Sequence, residues 1–347
     1  MSGSIVLLTG ATGFVGYKTL VTALEAGYRV RCAIRSKSGI DKILAAPSIQ
    51  RLCPADDRLS WVVVPDITAP GAYDEAVKDT DFIIHCASPV PTFGKDDRKG
   101  TDDEIYVNPA VAGVVGMLAS AAAHAADTVK RVVVTSSIVA VVPIECFGGV
   151  GRDRQPVDGE SRVATPIAPY GSGFGAYCAS KVAALNASEA WMEEHRPAFD
   201  LISTVPAWIW GHDGLCTTAE SLLSGSNSVL LEYLRGRKSE MPTDTNFVSV
   251  IDVAAAHIRA LAPSISGKRG YFLGRAVLME DARVVAKNAF PEAFANGVFS
   301  ETGIQPTVSI PTDVSKGEIM LGRELVSGED MVKDVARQFL QLVGVDK

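Results

Sequence analysis

The chain has 347 residues, of which 47% are hydrophobic and 21% are charged, a composition that suits one large or two smaller globular domains and excludes extended disorder. Its formal net charge of −7 disfavours non-specific binding to nucleic acid, which depends on clustered positive charge. The six cysteines form no C-x-x-C pair and the five histidines form no H-x-x-x-H pair, so we predict no metal site, a reduced chain and a cytoplasmic location.

Short apolar runs alternate with helical segments through the first 206 residues. The predicted strands cover residues 5–9, 28–34, 61–64, 82–86, 131–135 and 201–205. The predicted helices cover residues 14–26, 38–52 with a break at Pro47, 103–126 and 176–195. This alternation predicts an α/β fold, a doubly wound parallel sheet of the Rossmann type with helices on both faces. Residues 1–206 are therefore predicted to form a dinucleotide-binding domain.

The pattern is less regular after Pro206. Helices are predicted at 217–234, 252–261, 279–289 and 328–343, and extended segments at 246–251 and 271–273. Asp252 is the expected N-cap of its helix. We interpret residues 207–347 as mainly a smaller α+β lobe that binds the substrate, with residues of about 245–262 returning to the first domain. The Gly-, Pro- and charge-rich region 143–169 predicts a long loop near the site.

Three glycines connect the first strand to the first helix. Gly10 permits a tight turn, Gly13 lets the backbone approach a pyrophosphate, and Gly16 allows close packing of helix on strand. The helix N-terminus adds amide donors and a partial positive charge. The residues predicted to surround the pyrophosphate also include Thr12, Phe14 and Val15. The alternative is a purely structural turn, which the position directly after the first strand makes less favoured.

Other candidate cofactor residues follow the next strands. Arg35, with Ser36 and Lys37, is suited to the 2′-phosphate of NADP rather than to the ribose hydroxyls of NAD; the alternative is a solvated charge cluster. Asp66 and Ile67 are placed to meet the adenine, although an Asp at a strand end also makes simple turns. The further candidates along the middle of the cofactor are Ala87 and Ser88.

Tyr177 and Lys181 lie four residues apart in a predicted helix, which places them on one face. An ammonium in that position is expected to lower the pKa of the phenol from about 10 towards neutrality, so that the phenol exchanges a proton with a carbonyl or an alcohol. By spacing alone, a half-buried Tyr beside a solvated Lys is the simpler interpretation. Ser137 ends the fifth strand, where we expect it to address the same oxygen as Tyr177.

These motifs together resemble the extended branch of the short-chain dehydrogenase/reductase superfamily, from about residue 5 to residue 261. The matching segments are T-G-A-T-G-F-V-G, T-S-S and Y-C-A-S-K. Finer features, such as V-R-C-A-I-R-S, H-C-A-S-P and F-V-S-V-I-D-V-A-A-A-H, resemble the dihydroflavonol reductase, cinnamoyl-CoA reductase and fungal aldehyde/ketone reductase group. The fungal type is the nearest match, because Val142 and Phe174 replace residues that the two plant types use for their substrates.

The resemblance implies roles for individual residues. Tyr177 would be the proton donor, Lys181 would hold the nicotinamide ribose, and Ser137 would bind the substrate carbonyl. The residues placed near the cofactor by the resemblance include Lys42, beside the 2′-phosphate, and Pro206, beside the nicotinamide. The residues expected to line the substrate pocket are Pro89, Val142 and Trp208. The apolar segments 139–144 and 207–210 are equally well explained as core.

The predicted function is therefore reduction of a ketone or aldehyde to an alcohol with NADP(H) as cofactor. The alternatives are an NAD(P)-dependent epimerase, dehydratase or steroid dehydrogenase of the same branch, and a non-catalytic NADP-sensing regulator. We expect a small-molecule carbonyl substrate, a monomer or homodimer, and no nucleic-acid partner. Because the apolar stretch 132–144 is too short to cross a bilayer, we also expect no membrane association.

Overall fold

A parallel sheet organises the computed structural model, which describes residues 3–55, 57–90, 98–149 and 155–345. The strands are β1 (Ile5–Thr9), β2 (Arg29–Ile34), β3 (Leu59–Val63), β4 (Phe82–His85), β5 (Arg131–Thr135), β6 (Asp200–Pro206), β7 (Trp208–Trp210), β8 (Thr243–Asp244), β9 (Asn246–Ser249), β10 (Arg269–Leu273), β11 (Arg275–Ala276) and β12 (Thr307–Val308). Seven of them form one sheet in the order β10-β6-β5-β4-β1-β2-β3, and all neighbours pair in parallel. The predicted doubly wound Rossmann sheet is confirmed.

Helices cover both faces of this sheet and build the region beyond it. They are α1 (Phe14–Glu25), α2 (Lys37–Leu44), α3 (Pro47–Leu52), α4 (Asn108–His124), α5 (Gly173–His195), α6 (Ala219–Leu222), α7 (Ser228–Leu234), α8 (Val250–Ala260), α9 (Met279–Ala289), α10 (Pro291–Ala295), α11 (Ser315–Leu321) and α12 (Gly328–Leu342). The break between α2 and α3 falls just before Pro47, as predicted, because a proline in a helix interior removes a hydrogen bond and clashes with the preceding turn.

The last strand of the main sheet corrects one assignment. The sequence places residues 271–273 in the smaller lobe, yet β10 pairs in parallel with β6 from Arg269 to Leu273. Helix α8, whose residues were expected to return to the first domain, packs against α1 and β6. The main sheet is thus completed by residues from far along the chain.

The smaller region has its own core beside the carboxyl edge of the main sheet. A three-stranded sheet, ordered β11-β9-β7, and the pair β12-β8 form its β structure. The apolar faces of α7, α9 and α12 pack on it around a buried cluster that includes Trp210, Phe247, Phe299 and Phe339. Trp210 stacks on Phe247 with ring centroids 3.7 Å apart. The predicted α+β character of this region agrees with these elements.

Two helix starts in this region differ from the sequence-based expectation. The single helix predicted over 217–234 is two, α6 and α7, separated by residues 223–227. Asn227 precedes α7, and its side chain bonds the backbone N–H and C=O of Gly211 at 3.1 and 2.8 Å. The N-cap of α8 is Ser249, whose hydroxyl accepts the Ile251 N–H at 3.2 Å, so the assignment to Asp252 is wrong. Asp252 instead accepts the Val326 N–H at 2.8 Å.

Helix α4 is the most apolar helix near the site. A π-helical turn, Asp103–Val107, leads into it, and residues 103–124 are long and apolar enough to cross a membrane by length and composition alone. The helix packs against α5 and the sheet, which accounts for its apolar character as a core helix. The predicted loop 143–169 contains a short 3₁₀ turn at Ile144–Gly148, and its residues 150–154 lie outside the described residues.

Candidate active site

The glycine loop after β1 leaves space where side chains would interfere. Gly10 has a φ of +75°, and a Cβ there would lie 3.0 Å from the Ala87 nitrogen. A Cβ on Gly16 would lie 2.1 Å from the Gly10 carbonyl oxygen, well inside contact distance. Gly13 is the N-cap of α1 and makes no side-chain hydrogen bond to the first turn of the helix. These features fit the pyrophosphate of a dinucleotide.

Strand β4 is tied to β1 beside this loop. The Thr9 hydroxyl accepts the Ala87 N–H at 3.0 Å and lies 3.1 Å from Nδ1 of His85. Burial, with a contribution from the charge of Lys181, lowers the pKa of His85 to about 3, so the imidazole is neutral at physiological pH. The turn holding Ala87 and Ser88 is therefore fixed by neutral hydrogen bonds close to the loop.

A pocket opens between the ends of β4 and β5 and the helices α4 and α5. Its lining includes Ala87, Ser88, Ser136 and Lys181. The Ser136 hydroxyl oxygen is buried and has no hydrogen-bond partner among the described residues. The predicted cofactor residues of β4 and the predicted catalytic Lys181 thus border one space.

The residues predicted to read the adenosine end lie on the surface beyond β2 and β3. Arg35 and Lys42 are exposed, and Arg35 contributes to holding the pKa of Asp66 below its usual range. The main causes of that shift are the Thr68 hydroxyl and N–H, which the Asp66 carboxylate accepts at 2.7 and 2.8 Å. Asp66 therefore makes the turn that was weighed as its alternative role. Ile67 leans towards α4: a Cβ on Gly113 would lie 3.3 Å from it.

Ser137, Tyr177 and Lys181 converge where β5 meets α5. Ser137 begins the turn after β5 and hydrogen-bonds the Tyr177 side chain. Lys181 is 7% exposed, and its Nζ donates to the Thr135 carbonyl at 3.4 Å. The same nitrogen lies 6.0 Å from the centroid of the Tyr177 ring. The three predicted catalytic side chains therefore form one cluster at the carboxyl edge of the sheet.

The pKa of Tyr177 is shifted in the direction opposite to the expected one. Burial raises it to about 12, and the hydrogen bond with Ser137 opposes this only in part. Burial also lowers the pKa of Lys181 to about 8, which weakens the charge that was expected to stabilise a phenolate. The expectation of a phenol near neutrality is wrong for this structure, because desolvation by burial is the largest cause of the pKa shift of each group.

A buried histidine that the sequence analysis did not assign lies behind this cluster. His257 on α8 is fully buried, and its Nδ1 lies 2.6 Å from the Val253 carbonyl oxygen. A protonated Nδ1 there leaves Nε2 to accept from the Thr135 hydroxyl at 2.7 Å. The Thr204 hydroxyl, which donates to the Val134 carbonyl at 3.3 Å, lies 3.1 Å from the same nitrogen. Burial lowers the pKa of His257 to about 4. This neutral ring ties α8 to β5 and β6, and its bonds give it no role as a base for Ser137.

An aromatic wall stands beside Tyr177. Phe174, one helical turn earlier on α5, has its ring 6.5 Å from the Tyr177 ring and stacks on Trp208 at 6.4 Å with an interplanar angle of 11°. Phe147 meets Phe174 edge to face at 5.9 Å. We call Phe147, Phe174 and Trp208 the aromatic wall. The sequence analysis did not predict Phe147. Phe174 could have been placed beside Tyr177 from the sequence, because the two residues are three positions apart in one helix.

The other predicted substrate residues differ in their placement. Val142 is 2% exposed and belongs to the core, which corrects its assignment to the substrate pocket: the chain turns inward after Ser137 and buries residues 138–142. Trp210 is likewise core. Pro89 is half-buried at the end of the β4 turn, and Pro206 is buried at the end of β6.

Comparison with known proteins identifies the family. A family model described as the NAD dependent epimerase/dehydratase family matches residues 6–273. The chain belongs to this family. The predicted membership of the extended short-chain dehydrogenase/reductases is thereby confirmed.

Fungal proteins are similar over the whole chain. Ketoreductase CTB6 of Cercospora nicotianae is 35% identical, covering 100% of this chain and 98% of that protein. Ketoreductase sphI of Aspergillus fumigatus is 32% identical, covering 99% of this chain and 100% of that protein. A protein named NAD-dependent epimerase/dehydratase ALT6, from Alternaria alternata, is also 32% identical, covering 97% and 98%.

Solved structures show the same architecture. The yeast methylglyoxal/isovaleraldehyde reductase Gre2, complexed with NADPH, has a TM-score of 0.80 and 25% identity, covering 99% of this chain and 100% of that one. Vestitone reductase from alfalfa has a TM-score of 0.73 and 24% identity, covering 99% of each chain, and supports the fold alone.

Proposed function

We propose that this protein is an NADPH-dependent carbonyl reductase that converts a ketone or aldehyde to an alcohol. The observation that carries the proposal is the convergence of Ser137, Tyr177 and Lys181 at the sheet edge, beside a glycine loop shaped for a dinucleotide. The ketoreductase names of the fungal relatives support the reaction class.

NADPH is the proposed cofactor, and when bound it would supply the hydride that reduces the carbonyl carbon. Gly10, Gly13 and Gly16 would hold its pyrophosphate, and Arg35 its 2′-phosphate. Lys181 would hold the nicotinamide ribose. The solved NADPH complex of the similar yeast reductase supports the same choice of cofactor.

The protein side chains would manage the charge on the substrate oxygen. The hydroxyls of Ser137 and Tyr177 would both donate to that oxygen, and their attraction grows as negative charge develops on it. A Tyr177 pKa of about 12 keeps the phenol protonated at neutral pH, which suits a proton donor in the reductive direction. Lys181 would stabilise the phenolate left behind and so assist the transfer.

Replacement of the proposed donor tests this mechanism. Tyr177→Phe keeps the ring beside Phe174 but removes the proton, so we expect turnover of a carbonyl substrate to fall by about 10²–10⁴-fold while NADPH binding, measured by calorimetry, is retained. Tyr271→Phe is the matched control and should leave turnover unchanged. Tyr271 lies on the outermost strand, β10, and its hydroxyl donates to the Ser266 carbonyl. Undiminished turnover in Tyr177→Phe would refute the assignment.

An epimerase or dehydratase is the second candidate, favoured by the name of the Alternaria relative. Such enzymes of the extended branch retain a tightly bound NAD, whereas a reductase releases oxidised cofactor once per turnover. Measuring stoichiometric NADP⁺ release with the purified protein separates the two. A non-catalytic NADP sensor is disfavoured, because Ser137, Tyr177 and Lys181 are all present.

A further inference from the structure

Thr135, the last residue of β5, makes hydrogen bonds through both its side chain and its backbone. Its hydroxyl donates to Nε2 of His257 at 2.7 Å, and its carbonyl oxygen accepts from Nζ of Lys181 at 3.4 Å. His257 belongs to α8, whereas Lys181 belongs to α5. One residue at the carboxyl edge of the sheet therefore joins a buried histidine to the proposed catalytic lysine.

The ring of His257 is oriented by its surroundings. The ring is fully buried, and the Val253 carbonyl oxygen, 2.6 Å from Nδ1, requires a proton on that nitrogen. Nε2 is then an acceptor. The Thr204 hydroxyl near it already donates to the Val134 carbonyl at 3.3 Å, so the Thr135 hydroxyl is the donor that completes the ring. A bond this deeply buried has no competition from water and fixes the Thr135 side chain.

The position of the Lys181 ammonium depends on the other side of Thr135. Nζ has three donors on a flexible four-carbon stem, and the Thr135 carbonyl is the acceptor that it finds among the described residues. The same nitrogen lies 6.0 Å from the centroid of the Tyr177 ring. A displacement of the Thr135 carbonyl would therefore move the ammonium relative to the phenol.

We propose that His257 is a positioning residue, which holds Thr135 and thereby places the Lys181 ammonium. The inference rests on the proposed reductase function for its catalytic consequence, because Lys181 is expected to support proton transfer from Tyr177. The alternative is that His257 only joins α8 to the sheet, since backbone pairing of Thr135 with Thr204 also holds this end of β5. That alternative predicts lower stability with no change at Lys181.

Four substitutions separate the two interpretations. Thr135→Val removes the hydroxyl but keeps the backbone carbonyl and nearly the same shape, whereas Thr135→Ser keeps the hydroxyl. His257→Leu removes the ring nitrogen from the other side of the contact. Thr204→Val is the matched control, because Thr204 is equally buried and its hydroxyl lies 3.1 Å from the same ring nitrogen, but its carbonyl does not bind Lys181.

The Lys181 amine can be followed without activity. In protein with ¹³C-labelled lysine, Lys181→Arg identifies the Lys181 side-chain resonance by its loss. The titratable groups that face this amine are Tyr177, His85 and Cys86, with pKa values of about 12, 3 and 11, and the pocket residues contributed by α4 are apolar. Burial lowers the pKa of Lys181 itself to about 8, so a midpoint near that pH belongs to Lys181.

This midpoint gives the decisive comparison. We expect Thr135→Val and His257→Leu to lower it, because a well-placed carbonyl acceptor favours the charged ammonium. Thr135→Ser and Thr204→Val should leave it at the parent value. A midpoint that falls in neither Thr135→Val nor His257→Leu overturns the proposal.

Turnover at saturating NADPH tests the consequence for catalysis. We expect Thr135→Val and His257→Leu each to lower kcat for a carbonyl substrate about ten- to hundredfold, with KM within about twofold. Thr135→Ser and Thr204→Val should stay near the parent kcat. The double variant of Thr135→Val and His257→Leu should be no slower than the slower single variant, because both changes remove the same contact; multiplied losses would contradict positioning through Thr135.

The remaining outcomes separate this proposal from the proposed function. If Thr204→Val lowers kcat and the Lys181 midpoint as much as Thr135→Val does, His257 only supports the fold and the proposal fails. If the parent protein reduces no carbonyl compound, the proposed function fails, and the Lys181 midpoint still decides whether His257 positions the ammonium. If His257→Leu does not fold, the comparison of Thr135→Val with Thr135→Ser decides the question.

Discussion

The glycine loop with the neighbouring strand ends, which we call the cofactor edge, and the aromatic wall lie in the same region but are held together by different kinds of contact. At the edge, backbone meets backbone: Gly10 approaches Ala87, and Gly16 approaches the Gly10 carbonyl so closely that no side chain fits. At the wall, rings from separate segments of the chain meet each other, with Phe174 on α5 and Trp208 on β7. At the cofactor edge, a substitution that adds a side chain is expected to disrupt the backbone contacts. At the aromatic wall, replacement of one ring by another of similar volume is expected to be tolerated. We therefore expect substitutions in the aromatic wall to change which substrate binds, and substitutions at the cofactor edge to abolish the reaction.

The largest expected effect breaks the edge itself. Gly16→Ala places a methyl group 2.1 Å from the Gly10 oxygen, so the loop must move; we expect a loss of about 1–3 kcal/mol in the free energy of unfolding and at least an about hundredfold loss of NADPH affinity. Calorimetry and urea unfolding measure both. Gly116→Ala on α4 is the control, since a Cβ there meets nothing within 4 Å and should stabilise by about 0.5–1 kcal/mol. Equal behaviour of the two variants would show that the edge is not restricted by backbone contact.

A smaller effect is expected where the edge uses a side chain. Arg35→Glu should lower the preference for NADPH over NADH by about ten- to hundredfold, because it replaces a charge-assisted hydrogen bond to phosphate with repulsion. The ratio of kcat/KM for the two cofactors is the measurement. Arg51→Glu, an exposed residue on α3, is the charge-matched control and should leave the ratio unchanged. A constant ratio in Arg35→Glu would remove that residue from cofactor selection.

The smallest expected effect concerns the neutral His257 ring behind the cofactor edge and the pH dependence of the free energy of unfolding. The folded-state pKa of His257, about 4, lies below the ordinary 6.5, so unfolding takes up a proton between these values. Its stabilisation is complete above about pH 6.5 and declines by about 1.4 kcal/mol per pH unit as pH falls towards 4. His257→Gln should flatten this slope in urea unfolding across that range, while exposed His212→Gln should not. An unchanged slope in His257→Gln would contradict the assignment.

Local patterns predicted most of the edge because its residues are close in sequence. The strand, the glycine loop and the helix N-terminus at residues 5–25 follow one another directly, and Tyr177 and Lys181 share one helix. The contacts that were missed join distant segments. His257 reaches Thr135, and β10 pairs with β6; no local period encodes either pairing.

Competition between neighbouring groups explains the remaining differences. Ser249 caps α8 and leaves Asp252 for an ion pair with Arg323, although both residue types are good caps. Helix α5 begins at Gly173, before the predicted start, because the Ser172 hydroxyl accepts the Gly175 N–H at 3.0 Å. The raised pKa of Tyr177 depends on burial, which a four-residue spacing does not report.

The pairing of β10 with β6 has a consequence for synthesis of the protein. Until residues 269–273 leave the ribosome, β6 is the outermost strand of a growing sheet and presents unpaired backbone groups. The intervening residues 207–268 form much of the smaller region. The edge of β6 therefore stays unpaired while the ribosome synthesises these residues. Completion of the sheet is thus a late event in the vectorial folding of the chain, and the three residues of the aromatic wall are all made before β10.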